Sequence, residues 1–375
     1  MNSLTIMTKK IVNILCLILL LFANLCKAEV RIALIVPKTG EYKVWGDELV
    51  VGAQTAINLI NQKGGINGKK LDLVSIDDTC SENLAISTAQ MLSVSSSVKP
   101  ALVIGPYCSN SFDEIAKIYA KAKIFQVVPT TLSYHNATTK HKGVMKLVSF
   151  KEQASKDFFE IYNQKFAGQK TALIFDHKTD GTQETITAIT DEFRKRGKSS
   201  LVKQFNYANY SKLDSLATDI ASSNYKVVYL AGTPKKVAKT LKKVSNIRDD
   251  VIFFINKSAA TNAFFENAEG YLDNVYFMAL PSLEDNINLT EDLVNLRLQG
   301  IEFSGLNIYG YIAVRLWTDL VQKVKSFSYD KIISDIQSKK VTNVWQNIFY
   351  NNANMKNPLH YKFYKYINGE FTLID

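Results

Sequence analysis

The feature that most restricts the fold of this chain is an alternation running through residues 30–256. Short apolar runs rich in Val, Ile, Leu and Phe are separated by segments of helical periodicity. "VRIALIV", "KLDLVSID", "ALVIG" and "IFQVVP" read as strands. "GDELVVGAQTAINLINQKG", "SENLAISTAQMLSVSS" and "SNSFDEIAKIYAKA" read as the helices that follow the first three. Strands spaced by helices predict βαβ units around parallel sheets. After a break over residues 140–152 the pattern restarts with "KTALIFD", "SSLVKQF", "KVVYLAG" and "DVIFFIN", each followed by a helical stretch beginning near Thr182, Ser211, Pro234 and Ser258. The expected architecture is therefore α/β, with two similar lobes, each a parallel-sheet α/β sandwich, joined by a hinge. No low-complexity linker separates the two sets, so short structured crossovers are expected instead of a floppy tether.

The tail departs from the alternation. It predicts a long helix at "GLNIYGYIAVRLWTDLVQKV", another at "YDKIISDIQSK", and a hairpin or meander turning at Asn368-Gly369. A chain that ends on such pieces returns to its earlier lobes. The expected division is residues 29–148 plus 279–350 for one lobe and 149–278 plus 351–375 for the other.

Residues 1–28 have the three-part build of a secretory signal: Lys9 and Lys10, an apolar core from Ile11 to Leu25, and a small-residue end at Ala28, after which cleavage is expected. Retention as an anchor is the competing reading, but the apolar run of about 15 residues falls short of the ~20 needed to span a bilayer. Loss of this leader removes Lys9, Lys10 and Lys27 from a formal charge of +10. The remaining excess sits in clusters such as "KKVAKTLKK", read as a solvated helical face. No nucleic-acid module accompanies them, so a nucleic-acid partner is not expected.

Cys16 and Cys26 leave with the leader, so Cys80 and Cys108 are the cysteines of the exported chain. They admit one intramolecular disulfide, of the kind that persists in oxidising compartments. A nucleophile beside Ser109 and a metal ligand are the alternative readings. A zinc site needs four ligands, and none of His135, His141, His177 and His360 stands at ligand spacing from a cysteine. Asp77 and Asp78 look like a paired-carboxylate acid/base motif, but their place at a strand end favours a structural role. No Gly-X-Ser-X-Gly elbow or triad pattern is present to support an exported hydrolase. No cofactor or metal is expected.

The stretches "GEYKVWGDELVVGAQTAINLINQKGGINGKKLDLVSIDDTCSENLA" and "VIGPYCSNSFDEIAKIYAKAKIFQVVPTT" resemble the type I periplasmic binding proteins, in the leucine/isoleucine/valine-binding branch that serves ABC importers. The most specific piece is the pairing of "DDTC" with "PYCS". The resemblance implies a Cys80–Cys108 disulfide within the first lobe, and a Ser109 that touches ligand. It further implies a monomeric periplasmic binder that closes on a small polar molecule (an amino acid, amide or carboxylate) and delivers it to a permease in the inner membrane. A sensory or regulatory protein of the same fold, docking on a membrane receptor or cell-wall enzyme, is the alternative.

Ser109 follows a strand and opens a helix, where free N–H groups favour a carboxylate. Thr130, Thr131 and Ser133 lie in the loop after the next strand, facing the same crevice. By resemblance, Trp45 occupies a pocket-lining aromatic position. In the second lobe the likeness frays. Ser258 stands where amino-acid binders keep an acid for the ligand ammonium. Thr233 and Asp180 stand where they keep tyrosines. Asp180 can take over the ammonium contact, or serve as an ordinary Asp-Gly turn residue.

Overall fold

The computed structural model describes residues 29–374 apart from 41, 96–98, 109–110, 130–141, 148–150, 180, 257–258, 280–293, 295–297, 299–305, 339–340, 344–347, 352–353 and 356–359. The first half of the alternation forms β1 (Val30–Val36), α1 (Lys43–Gln62), β2 (Leu71–Asp77), α2 (Glu82–Val94), β3 (Leu102–Ile104), α3 (Phe112–Lys121), β4 (Phe125–Val128) and β5 (Val144–Lys146). The second forms α4 (Lys151–Lys165), β6 (Thr171–Phe175), α5 (Thr182–Lys195), β7 (Val202–Asn206), α6 (Leu213–Ser222), β8 (Val227–Ala231), α7 (Pro234–Ser245), β9 (Ile252–Asn256), α8 (Asn262–Ala268) and β10 (Val275–Ala279).

The strands assemble into two sheets of the same topology. β1 to β5 lie in the order β2-β1-β3-β4-β5, all parallel. β6 to β10 lie in the order β7-β6-β8-β9-β10, again all parallel. That second sheet is extended by β14 (Lys362–Ile367) and β15 (Glu370–Ile374), which run antiparallel through the hairpin at Asn368-Gly369. Both turn residues have positive φ (53° and 87°), as a two-residue hairpin loop of the Asn-Gly kind requires. A small antiparallel sheet of β11 (Val341–Asn343), β12 (Ile348–Asn351) and β13 (Asn354–Met355) precedes them.

Parallel sheets need cover on both faces, and each of these sheets has it. α9 (Asn307–Val324) and α10 (Tyr329–Ser338) return to the first sheet and pack with α1 over Ile32, Leu34 and Ile104, burying Trp317 completely. α2 and α3 cover the other face through Ala89, Leu92, Ile115 and Tyr119. α4 and α5 cover one face of the second sheet with Phe158, Tyr162 and Phe193; α6, α7 and α8 cover the other with Ile220, Leu241 and Phe264. Each such large apolar side chain contributes about 1.5–3 kcal/mol by leaving water.

The α1–α9 crossing is unusually close: a Cβ on Gly52 would lie 1.6 Å from the Asn307 carbonyl oxygen, and one on Gly310 would lie 2.2 Å from that of Leu49. Only glycines let these backbones meet. The final return to the second sheet is pinned at Asp157, whose carboxylate accepts from Gln153 Nε2 (2.8 Å) and from the Tyr361 N–H (2.6 Å), with His360 Nδ1 at 2.8 Å.

The sequence reading differs from the fold in boundaries. The break over residues 140–152 contains β5 and the start of α4, and α6 and α8 begin at Leu213 and Asn262 instead of near Ser211 and Ser258. β10 was not among the expected strands. Among the described residues no helix is long and apolar enough to cross a membrane; the leader, residues 1–28, lies outside them.

Candidate functional site

Strand order locates the site. In open α/β sheets ligands sit beyond the carboxyl ends of the strands, where neighbouring strands send their connections to opposite faces. With the order β2-β1-β3-β4-β5 that switch point falls between β1 and β3. In the second sheet it falls between β6 and β8.

At the first switch point the loops after β1, β2 and β3 are tied together. Asp77 accepts from the Lys38 N–H (2.8 Å), the Thr39 hydroxyl (2.6 Å) and the Thr79 N–H (2.9 Å). Partial burial pushes its carboxyl up, but the hydrogen bonds from Thr39, Lys38 and Thr79 outweigh this and hold it below the usual range. Asp78 is buried and accepts the Cys80 N–H at 3.1 Å. Both carboxylates thus shape the turn, in which Thr79 and Cys80 hold left-handed φ values of 49° and 55°.

Cys80 and Cys108 are disulfide-bonded, their Cα atoms 5.4 Å apart, so the end of β2 is stapled to the end of β3. The β3 turn is further fixed by Gln126 Nε2 donating to the Gly105 carbonyl at 2.8 Å. Gly105 is required there, because its φ is +105° and a Cβ would lie 2.4 Å from the Ile35 carbonyl oxygen.

Above this turn stands an aromatic ladder that spans the switch point. Trp45, half-buried on the first turn of α1, has its ring centroid 5.4 Å from Tyr42 and 5.8 Å from Tyr107, which immediately precedes Cys108. The ladder holds because α1 is pressed onto the end of β1: a Cβ on Gly46 would lie 1.8 Å from the Pro37 carbonyl oxygen. Trp45 thus stands at the first switch point, in contact with the turn after β3. Tyr42 and Tyr107 were not singled out from the sequence, although Tyr107 adjoins the cysteine that drew attention. Ser109, Thr130, Thr131 and Ser133 lie outside the described residues.

The second switch point is polar. Asp176, at the end of β6, is buried; its Oδ1 accepts the Lys178 N–H at 3.1 Å and its Oδ2 pairs with Lys236 Nζ from the first turn of α7. Burial pushes the Asp176 carboxyl up, yet Lys236 and the Lys178 N–H, with a smaller contribution from His177, hold it below the usual range. Lys236 also lies over the Tyr207 ring, 5.3 Å from its centroid, and the Tyr207 hydroxyl donates to Thr240 Oγ1 at 2.9 Å. Burial raises the Tyr207 phenol, which is kept as a neutral donor.

Thr233 is half-buried at the N-cap of α7, with Pro234 at the first helical position, and its side chain makes no capping hydrogen bond. It stands at the carboxyl end of β8, the place expected for a second-lobe contact. Asp180 and Ser258 lie outside the described residues. The lysines of "KKVAKTLKK" do not all form a solvated face, since Lys236 is half-buried and engaged with Asp176. Among the described residues no group of three or more His, Cys, Asp or Glu side chains is placed to hold a metal ion.

Two α/β units with matching strand order, each with polar or aromatic side chains gathered at its switch point, define a two-lobed binding protein. The chain belongs to the periplasmic binding protein family, whose model matches residues 29–369. Among curated relatives, an amino acid binding protein of Pseudomonas aeruginosa is 25% identical over 293 residues, covering 77% of each chain. The Leu/Ile/Val-binding protein of Escherichia coli is 22% identical over 281 residues, covering 74% of this chain and 75% of its own. Among solved structures, a leucine-binding protein of Thermotoga maritima superposes with a TM-score of 0.76 at 19% identity, covering 92% of this chain and 98% of the other. A solute-binding protein of R. palustris in complex with benzoate gives a TM-score of 0.72 at 16% identity, covering 92% and 96%. These likenesses establish the type I periplasmic-binding fold with two lobes.

Proposed function

We propose that this chain is the extracytoplasmic solute receptor of an ABC importer. It closes two lobes on a small carboxylate-bearing molecule and presents it to a permease in the inner membrane. The observation that carries the reading is the repeated strand order, which puts one set of switch-point side chains in each unit, as two-walled capture requires. The family membership and the amino-acid-binding names of the curated relatives support the ligand class.

In this reading the leader is removed after Ala28 and the protein works in the periplasm as a monomer, without nucleic-acid partners and without enzymatic turnover. The lobes are residues 29–148 plus 279–350 and 149–278 plus 351–375. Ser109, with Thr130, Thr131 and Ser133, takes the ligand carboxylate in the first lobe, and Trp45 lines the same wall. Asp180, Thr233 and Ser258 face it from the second lobe. An acid is missing at Ser258, so an ordinary aliphatic amino acid binds poorly unless Asp180 holds its ammonium. Benzoate, held by the R. palustris neighbour, shows that this fold accommodates a carboxylate without an ammonium.

Closure follows from contacts made by both lobes only in the closed state. The test is a thermal-shift panel of amino acids, amides and carboxylates, with mass spectrometry of any molecule retained through purification and small-angle scattering of the stabilised complex. A ligand in excess of its Kd raises the melting temperature, and the radius of gyration falls as the lobes close. A panel in which nothing stabilises the protein and nothing is retained, or saturation without compaction, overturns the reading.

A further inference from the structure

The second switch point carries a charge arrangement that bears on what the ligand presents there. The connections after β6 and β8 meet at one carboxylate, Asp176, which takes the backbone N–H of Lys178 and the Nζ of Lys236. Asp176 is 4% exposed and already engaged by the Lys178 N–H and by Lys236 Nζ. It is therefore not available to receive a ligand ammonium. The Lys236 side chain, by contrast, keeps 37% of its surface exposed. An ammonium has three donors; Asp176 takes one, and the Tyr207 ring centroid lies 5.3 Å from Nζ. Asp176 and Tyr207 thus fix the position of Nζ without consuming all of its donors. At the first switch point, by contrast, Lys38 after β1 spends its Nζ on the Ser75 hydroxyl at 3.0 Å, on the exposed edge of the first sheet.

We infer that Lys236 is a specificity-determining residue that meets a second anionic group of the ligand, so that the solute carried is an acidic molecule of the dicarboxylate class. One carboxylate sits at the first switch point and the other is received by Lys236. This inference rests on the proposed function as a small-carboxylate receptor. The physical argument is a difference between ligand ends. An ammonium brought to this wall meets a cation whose neighbouring carboxylate is already paired, whereas a carboxylate gains a charge-assisted hydrogen bond in a site from which closure excludes water. A purely structural ion pair between the β6 loop and α7 would affect stability and leave ligand preference alone.

The two are separated by calorimetric titration of the full exported chain with matched probes, glutarate against pentanoate and glutamate against isoleucine. The wild type is expected to prefer each acidic probe by at least tenfold. Lys236→Met is expected to erase that preference while pentanoate affinity stays within about twofold, and Lys236→Arg to retain most of it. Asp176→Asn, which keeps an acceptor for the Lys178 N–H and releases Nζ, is expected to raise glutarate affinity. Wild-type protein that binds pentanoate or isoleucine as tightly as its acidic partner overturns the inference and leaves the receptor function standing. So does a folded Lys236→Met or Lys236→Gln variant with the preference intact. Failure of all four probes, together with an inert thermal-shift panel, refutes the receptor function and this inference with it.

Discussion

Breaking the Cys80–Cys108 bond should weaken the first lobe by an amount the structure allows us to calculate. The two cysteines are 28 residues apart, and closing a loop of that length removes chain entropy from the unfolded state worth about 3.5 kcal/mol at 25 °C in the loop-entropy account. Strain in the native turn and the hydrogen bonds that hold it act in opposite directions. Thr79 and Cys80 hold left-handed backbone conformations, which for residues with a Cβ cost about 1–2 kcal/mol each. The side chains of Asp77 and Asp78 nonetheless hold that turn through the Thr79 and Cys80 N–H groups, independently of the sulfurs. The native geometry should therefore survive, and the effect should appear mainly as lost stability, about 2–4 kcal/mol. At about 2–4 °C per kcal/mol for a unit of this size, the Cys80→Ser/Cys108→Ser double variant should melt roughly 5–15 °C below wild type in scanning calorimetry. Wild type in reductant should fall towards the same value, and thiol labelling of denatured, unreduced protein should find neither cysteine free. Two labelled thiols, or a double variant melting within about 1 °C of wild type, would refute the reasoning.

Two further outcomes are expected. Gly52→Ala puts a Cβ against the Asn307 carbonyl at a backbone-to-backbone crossing, so urea denaturation should show a loss of about 2–3 kcal/mol or more, while Val51→Ala on the exposed side of the same helix should change little; equal small effects would contradict the close crossing. Glu48, which accepts the Leu306 N–H at 2.6 Å, has its carboxyl pushed up by burial against the lowering effect of that bond. The folded state therefore holds this proton more tightly than the unfolded state. The stabilising contribution is present below the ordinary Glu value and is lost as pH rises through the folded value. Glu48→Gln should match wild type at low pH and melt roughly 1–2 °C higher at pH 7; a lower melting temperature at pH 7 would reverse the sign.

Several strands are legible because burial on both faces writes an apolar run, as in β3, β6 and β8, whereas the more exposed β2 and β7 are legible only from their place in the alternation. β5 escaped because it has three residues and one of them, Lys146, is charged. β10 escaped because the helix before it, α8, has seven residues, too few to show a helical period. The hairpin at Asn368-Gly369 was legible because turn chemistry is local. Strand order is not local, so the two switch points could not be located until the sheets were assembled. The same limit hid the Trp45–Tyr107 contact and the Asp176–Lys236 pair. Each joins residues on different connections, brought together only by β1 lying beside β3 and β6 beside β8.

That limit also explains why fold and specificity come apart in this chain. A change at Phe254, whose ring packs 5.0 Å from both Phe158 and Tyr276 in the second core, must be matched by its neighbours or leave a cavity. A change at Lys236 costs the Asp176 ion pair but opens no cavity in a core, and in the inferred role it changes what the end of a strand offers to a ligand. The two sheets have the same strand order, yet one switch point carries an aromatic ladder and the other an ion pair. Backbone topology thus fixes where the walls stand and leaves their chemistry open. It follows that an amino-acid binder of this topology needs an unpaired acid on its second wall, and that pairing Asp176 with Lys236 removes one such acid. Exchanging Lys236 for a neutral residue while keeping Asp176 should therefore move preference away from acidic solutes and towards ligands that carry an ammonium.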